Sequence, residues 1–186
     1  MQRVFLIHGW GGSPKNDWMP WAKKALTEKG FEVYVPEMPD TENPKIRPWV
    51  SKLAESVGEA RADDILIGHS IGCLAVLRFL ETLKDDEKVG KVILVAPWQY
   101  LTLDKNENPA IAVPWIDNPI DYEKIKSKAD TITTVFSDND PWVPYQKNLE
   151  FFTEKLNPEV ITKHEMGHFT AGEGSTEPLF LLELVK

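Results

Sequence analysis

Six short apolar runs, spread over the whole chain, are the feature that most restricts its fold. Several of them are apolar at every position, which is typical of strands covered on both faces in a parallel sheet. Because helical patterns separate most of these runs, we expect right-handed β-α-β crossovers. The runs are residues 4–7, 33–35, 65–67, 92–96, 132–136 and 160–161.

The segments between the runs carry the spacing of helices with one buried face. Trp49, Leu53 and Val57 recur every fourth residue, and residues 149–156 repeat such a stripe. Residues 71–77 are almost entirely apolar, as expected of a central buried helix, and a last helix is predicted from about Pro178. The sequence therefore predicts an α/β fold: a three-layer α/β/α sandwich with about six mostly parallel strands.

We expect one domain over residues 1–186, because there is no internal repeat and no low-complexity tract. Residues 97–121 are rich in proline, tryptophan, asparagine and short apolar stretches, and they are too long for a plain connection. This segment is predicted to be a lid or a pocket wall, with an ordered surface loop as the alternative.

Composition and charge argue against several classes of function. The 186-residue chain has a formal net charge of -8, whereas nucleic-acid-binding proteins usually carry a basic surface. No apolar stretch approaches the roughly 20 residues that span a membrane, and the apolar run near the start is too short for a signal peptide. Cys73 is the single cysteine, so no intramolecular disulfide can form. We expect a cytoplasmic protein without nucleic-acid or membrane partners; the oligomeric state stays open.

A candidate nucleophile follows the third apolar run. The sequence Gly68-His69-Ser70-Ile71-Gly72 lies directly between a predicted strand and a predicted helix. Catalytic serines on sharp strand-to-helix turns have this context, because glycines two residues to either side relieve crowding where strand and helix meet. The alternative is a tight turn with an inert serine. We predict that Ser70 is the nucleophile of an acyl-transfer reaction.

A glycine-rich loop follows the first predicted strand. It reads His8-Gly9-Trp10-Gly11-Gly12 and matches neither common phosphate-binding pattern. In a site of this type, backbone amides of this loop and of the residue after the nucleophile stabilise the negative oxygen of the tetrahedral intermediate. The amides of Trp10 and Ile71 are therefore the predicted oxyanion hole.

A serine nucleophile needs a histidine base and a carboxylate that orients that histidine. His168, in the loop beyond the last predicted strand, is the expected base. Asp140, just past the fifth strand, is favoured as the acid over Asp138 in the same turn. The chain order serine, aspartate, histidine is that of α/β-hydrolases.

The base candidate also belongs to a sequence typical of zinc proteases. Residues 164–168 read His-Glu-Met-Gly-His, a pattern that binds zinc when both histidines share one helical face. The β-branched run Val160-Ile161-Thr162 favours a strand that leads into this motif, and Gly167 disfavours a helix. A zinc site formed by His164 and His168 is therefore the weaker interpretation.

These motifs resemble the small serine hydrolase family that includes retinoblastoma-binding protein 9. The resemblance covers nearly the whole chain and rests on residues 8–12, 68–72, 140–144 and 167–169, with weaker similarity at 114–115 and 122–125. It implies an α/β-hydrolase fold reduced to about six strands, a Ser-Asp-His triad and carboxylesterase-like activity. It also raises a protein-binding role, although the Leu-x-Cys-x-Glu sequence recognised by pocket proteins is absent, since Ile71 and Ala75 flank Cys73.

Tryptophan is frequent, with seven residues, and several follow strand ends, where ligands bind in parallel sheets. Trp98, Trp115 and Trp142, together with Trp10, are predicted to line an aromatic substrate pocket, whereas Trp18, Trp21 and Trp49 are expected in the core. We predict a hydrolase that cleaves small carboxylic esters through an acyl-enzyme on Ser70, without metal or organic cofactor. A catalytically silent protein-binding module and a zinc hydrolase are the alternatives.

Overall fold

The computed structural model describes residues 1–103 and 109–186. The strands of this part are β1 (Arg3–Ile7), β2 (Glu32–Tyr34), β3 (Ile65–His69), β4 (Val89–Val95), β5 (Ala129–Ser137) and β6 (Glu159–Lys163). They form one sheet in the order β2-β1-β3-β4-β5-β6, and every neighbouring pair is parallel. Each predicted apolar run coincides with one strand, and the predicted α/β fold is confirmed.

Helices connect the strands as predicted. They are α1 (Met19–Glu28), α2 (Ile46–Val57), α3 (Ile71–Thr82), α4 (Pro109–Asp117), α5 (Tyr122–Ser127), α6 (Tyr145–Leu156) and α7 (Phe180–Leu184), and a 3₁₀ turn covers Ala171–Glu173. Helix α7 is shorter than expected because it begins after Leu179, beyond Pro178. No helix in residues 1–103 and 109–186 is long and apolar enough to cross a membrane.

Alternating side chains of the sheet supply two cores. In β1, Phe5 and Ile7 pack into the core on the side of α2 to α6, whereas Val4 and Leu6 face α1 and α7. This arrangement gives the three layers, with helices on both faces of a parallel sheet. Because all strands run in the same direction, their carboxyl ends lie at one edge, and the loops of the candidate site start there.

Helix α3 lies at the centre of the larger core. It is buried from Ile71 through Leu80, which explains its almost uniformly apolar sequence. Its one buried cation, Arg78, donates from Nη2 to the carbonyls of Trp115 and Asn118 at 3.1 and 2.6 Å. A buried guanidinium needs such partners, so these bonds hold the end of α4 against α3.

The predicted lid segment, 97–121, falls partly outside the described residues, since 104–108 are not among them. Its first part is fixed by Asn148 of α6, whose Oδ1 accepts from the amides of Gln99 and Tyr100 at 2.7 and 3.0 Å. Trp98, Leu101, Leu103 and Ile111 line the cavity described below. For the described part of the segment, these contacts favour the pocket wall over the lid.

Candidate active site

A cavity of about 480 Å³ opens at the edge of the sheet where the strands end. Ligands bind at this edge in parallel α/β sheets, and the volume lies within the usual range for small-molecule sites. Loops that follow β1, β3, β4, β5 and β6 all contribute to its wall. Its described lining consists of Gly9, Trp10, Gly11, Gly12, Asp17, Glu42, His69, Ser70, Trp98, Leu101, Leu103, Ile111, Trp142, His168 and Thr170.

Ser70 lies on the turn that joins β3 to α3. Its backbone has φ +54° and ψ -124°, a conformation that costs a non-glycine residue about 1–3 kcal/mol. Two backbone hydrogen bonds of 2.9 Å hold it there: the Ser70 amide donates to Val95, and the Ser70 carbonyl accepts from the amide of Cys73. The side chain is thereby presented to the cavity, and Ser70 is 9% exposed.

Two glycines make this turn possible because the backbone approaches closely at both. A Cβ on Gly68 would lie 2.7 Å from the Cα of Cys73, and one on Gly72 would collide with the carbonyl oxygen of Ile7. Cys73 itself is buried behind the turn, with its sulfur 3.2 Å from the carbonyl oxygens of Gly68 and Val95. Burial raises the pKa of the Cys73 thiol, so the group stays neutral.

The loop after β1 runs beside Ser70. Its shape is held by bonds from the Gly11 amide to the Thr41 carbonyl, at 2.8 Å, and from the Gly12 amide to Gly9, at 3.1 Å. The amides of Trp10 and Ile71 have no acceptor within residues 1–103 and 109–186. Since Ile71 is the first residue of α3, its amide also lies at the positive end of the helix dipole.

His168 projects from the loop beyond β6, and Asp140 from the loop beyond β5. The Nδ1 of His168 donates to Oδ2 of Asp140 at 2.7 Å, and the side chains are 10% and 2% exposed. The other Asp140 oxygen accepts from the amides of Trp142 and Val143, each at 2.9 Å. With Nδ1 donating to the carboxylate, Nε2 of His168 has no hydrogen-bond partner in the described part of the chain.

The second aspartate of the turn pairs with a different histidine. Asp138 accepts from Nδ1 of His164 at 2.5 Å and from the Glu165 amide at 3.0 Å. The Glu165 amide and, secondarily, His164 lower the pKa of Asp138. The His164 side chain is 85% exposed and that of Asp138 is 34% exposed, so this pair faces solvent.

The backbone of the zinc-protease-like sequence is not helical. His164 directly follows β6, and positive φ angles occur at Glu165, Gly167 and Phe169. The two histidines therefore bind different aspartates instead of sharing one helical face. Within residues 1–103 and 109–186, no cluster of three or more His, Cys, Asp or Glu side chains is arranged to hold a metal ion.

Of the predicted pocket tryptophans, the structure brings Trp98 and Trp142 to the cavity together with Trp10. Trp142 packs edge-on against the ring of His168, with the ring centroids 5.3 Å apart. Trp115 is not part of the described lining, contrary to the prediction. Its indole is 1% exposed, packs against Trp49 and donates from Nε1 to the Pro44 carbonyl at 2.9 Å, because α4 turns that face inward.

Two polar residues that contact the loop beyond β6, which carries His168, were not assigned a role from the sequence. The Nε2 of His69 lies 2.8 Å from the carbonyl oxygen of His168, and Oε2 of Glu173 accepts from the His168 amide at 2.6 Å. The spacing Thr170-x-x-Glu173 is a capping-box signal and could have indicated the second contact. The bond between His69 and His168 joins residues far apart in the chain, so no local sequence pattern indicates it.

The charged lining of the cavity is acidic where the structure describes it. Asp17 and Glu42 contribute carboxylates, and neither lysine nor arginine occurs among the described lining residues. One oxygen of Asp17 accepts from the Ala171 amide at 2.9 Å. The cavity therefore combines indole rings with negative charge.

A parallel six-stranded sheet whose third strand leads through a strained serine into a buried helix defines an architecture of the α/β-hydrolase type. Comparison with known proteins identifies the family. A profile of the serine hydrolase family matches residues 4–178. The chain therefore belongs to the serine hydrolase family.

Two sequence relatives cover almost all of the chain. YdeN of Bacillus subtilis (strain 168) is 28% identical over 177 residues, which is 94% of this chain and 90% of that protein. Serine hydrolase RBBP9 of Rattus norvegicus is 29% identical over 189 residues, with 99% and 94% covered. The predicted resemblance to the family that includes retinoblastoma-binding protein 9 is thereby confirmed.

Solved structures agree with the fold. The crystal structure of the B. subtilis ydeN gene product superposes with a TM-score of 0.89 at 26% identity and covers 100% of this chain and 97% of that one. Est1E from Butyrivibrio proteoclasticus, solved with ferulic acid bound, gives a TM-score of 0.72 at 15% identity, with 100% and 90% covered. At that identity the second similarity concerns the fold alone.

Proposed function

We propose that the protein hydrolyses small carboxylic esters through an acyl-enzyme on Ser70. The observation that carries the proposal is the buried His168–Asp140 pair, whose histidine lines the same cavity as the strained serine. Both oxygens of Asp140 are hydrogen-bonded, so the carboxylate holds one orientation of the imidazole. That arrangement supports a general-base role for His168.

In the proposed reaction, Ser70 Oγ attacks the ester carbonyl carbon while Nε2 of His168 takes its proton. The amides of Trp10 and Ile71 donate to the carbonyl oxygen as it becomes negative. The imidazolium then protonates the leaving alcohol, and the acyl group remains on Ser70. Water repeats the sequence with His168 as base and releases the acid. Asp140 stabilises the imidazolium in both halves without accepting its proton.

The substrate class follows from the size and lining of the cavity. A volume of about 480 Å³ suits a small acyl and alcohol pair, and Trp10, Trp98 and Trp142 supply flat apolar contacts. Asp17 and Glu42 disfavour an anionic group at the cavity wall, because like charges a few ångströms apart repel by about 1 kcal/mol or more. We therefore expect neutral or cationic esters of short chain length to react faster than anionic or long-chain ones.

The test is turnover of p-nitrophenyl esters of increasing chain length, with Ser70→Ala as the control. Wild-type protein should hydrolyse short esters and be labelled by a fluorophosphonate, whereas Ser70→Ala should do neither. Equal rates for the two proteins would contradict the enzymatic function and favour a silent binding module. Labelling and activity that survive exhaustive chelation would argue against a zinc hydrolase at His164 and His168.

A further inference from the structure

His69, the residue before the candidate nucleophile, is a buried polar side chain that the proposed reaction does not use. It is 3% exposed, and its Nε2 lies 2.8 Å from the carbonyl oxygen of His168, 99 positions away in the sequence. Since a carbonyl oxygen only accepts, Nε2 carries the hydrogen. Burial and, secondarily, the nearby His168 lower the pKa of His69 to about 3, so the ring is a neutral donor at physiological pH.

The carbonyl that accepts this bond belongs to the peptide joining His168 to Phe169. Phe169 has φ +57°, an uncommon and strained backbone conformation for a bulky residue. Strain at Phe169 favours rotation of this peptide, whose N–H also donates to the Met166 carbonyl at 3.0 Å, and such a rotation would move the backbone that carries the His168 side chain. A donor fixed opposite its oxygen opposes that rotation.

The ring of His69 is itself held on several sides. Trp18 packs edge-on against it with ring centroids 5.7 Å apart, and the ring of His168 lies at 5.1 Å. On the oxyanion side, a Cβ built on Gly9 would lie 3.3 Å from both Nδ1 of His69 and Cβ of Ser70. His69 therefore lies between the turn at Ser70, the loop after β1 and the loop that carries His168.

The other bonds to His168 show why this one matters. Asp140 fixes the imidazole at Nδ1, and Glu173 fixes the preceding peptide through the His168 amide. The peptide after His168 receives its side-chain bond from His69. Without the His69 bond, the peptide after His168 has no hydrogen bond to a side chain, whereas the peptide before His168 keeps its bond to Glu173.

Building on the proposed function, we propose that His69 is a positioning residue. Its Nε2–H holds the His168 carbonyl and thereby keeps the imidazole of His168 directed at Ser70. The requirement is for a hydrogen-bond donor at this place and not for a ring of this shape. His69 takes no proton in the reaction and does not touch the substrate carbonyl.

The test compares full-length variants by steady-state kinetics, with rates normalised to the sites labelled by a fluorophosphonate. His69→Phe keeps a ring and removes the donor, whereas His69→Gln returns an N–H near the original Nε2. Because displacing a catalytic group by about 1 Å costs roughly 100-fold, we expect kcat to fall about that much in His69→Phe, with KM within about threefold. His69→Gln should recover kcat to within about fivefold of wild type.

Trp18→Phe is the matched control, because it disturbs packing against the same ring and leaves the donor in place. Its melting temperature should fall while kcat stays within about twofold of wild type. A His69→Phe kcat per labelled site equal to wild type would overturn the proposal. Equal losses in His69→Phe and His69→Gln would also overturn it, since shape and not donation would then be required.

A measurement on the wild-type protein covers the case in which His69→Phe does not fold. In ¹⁵N-edited NMR, the Nε2–H of His69 should give a resonance protected from exchange with solvent, and rapid exchange would overturn the proposal. A different result tests the proposed function: a Ser70→Ala variant that turns over esters at the wild-type rate would contradict it. An inactive Ser70→Ala combined with a fully active His69→Phe would refute the positioning role alone.

Discussion

Two histidine–aspartate pairs connect the same two loops, and their surroundings make them different. In both pairs an Nδ1 donates to a carboxylate, at 2.7 Å for His168–Asp140 and at 2.5 Å for His164–Asp138. The first pair is 10% and 2% exposed beside the cavity, whereas the second is 85% and 34% exposed. Bond length alone therefore does not identify the pair that is suited to catalysis.

Burial and the other contacts of each pair make the distinction. Both oxygens of Asp140 are occupied, two bonds coming from the amides of Trp142 and Val143, and His168 is held at its own peptide as well. The exposed pair has solvent around it, and exposed ion pairs contribute little to stability. The comparison shows that burial and additional hydrogen bonds distinguish the candidate catalytic pair from an ordinary histidine–aspartate contact.

The largest expected difference in kcat is between alanine substitutions of the two histidines. His168→Ala should lower kcat by about 10⁶-fold, since it removes the proposed base, and His164→Ala should leave kcat within about twofold. Ester turnover by purified variants, with equal folded fractions checked by circular dichroism, measures both. Similar losses in the two variants would remove the functional distinction between the pairs.

Substitutions of the two aspartates should differ less in kcat than substitutions of the two histidines. Asp140→Asn keeps the size of the side chain but favours the wrong histidine tautomer, so we expect kcat to fall by about 10⁴-fold. In Asp138→Asn, kcat should stay within about threefold of wild type, because this residue is not among the described lining of the cavity. An Asp138→Asn variant more impaired than Asp140→Asn would reverse the assignment of the acid.

The smallest effect concerns stability and pH at the exposed pair. Hydrogen bonds from Glu165 and His164 lower the pKa of Asp138 below its ordinary 3.8, so ionised Asp138 stabilises the fold above that pH. This contribution is lost as pH falls through the lowered pKa. The melting temperature of wild type should therefore exceed that of Asp138→Asn above about pH 5, and the gap should close below about pH 3. A gap that widens on acidification would contradict this origin of the pKa shift.

The fold was largely predictable because the central strands β1 and β3 are buried on both faces, which makes their sequences apolar at nearly every position. Each strand of the sheet overlaps one of the six apolar runs, and the apolar segment 71–77 lies in the buried helix α3. The ends of the strands were less predictable from the sequence. Strand β5 begins at Ala129, ahead of its apolar run, and this start was not predicted because Asp130 and Thr131 are exposed and polar.

The candidate site was predictable in part, for equally physical reasons. Motif spacing led to Ser70, and loop position led to His168. The outward-facing partner of Asp138 and the core position of Trp115 depend on how chain segments pack, which residue type does not encode. His69 is the extreme case, because its bond to His168 joins residues that only the folded sheet brings together.

The reactivity of Cys73 reports how often the turn at Ser70 opens. Only a thiolate reacts readily with alkylating reagents, and this thiol is fully buried with a raised pKa. Modification therefore requires the Ser70 turn to separate transiently from the ends of β3 and β4. Because no other cysteine occurs in the chain, the alkylation rate reports the free energy of the opening that exposes this turn.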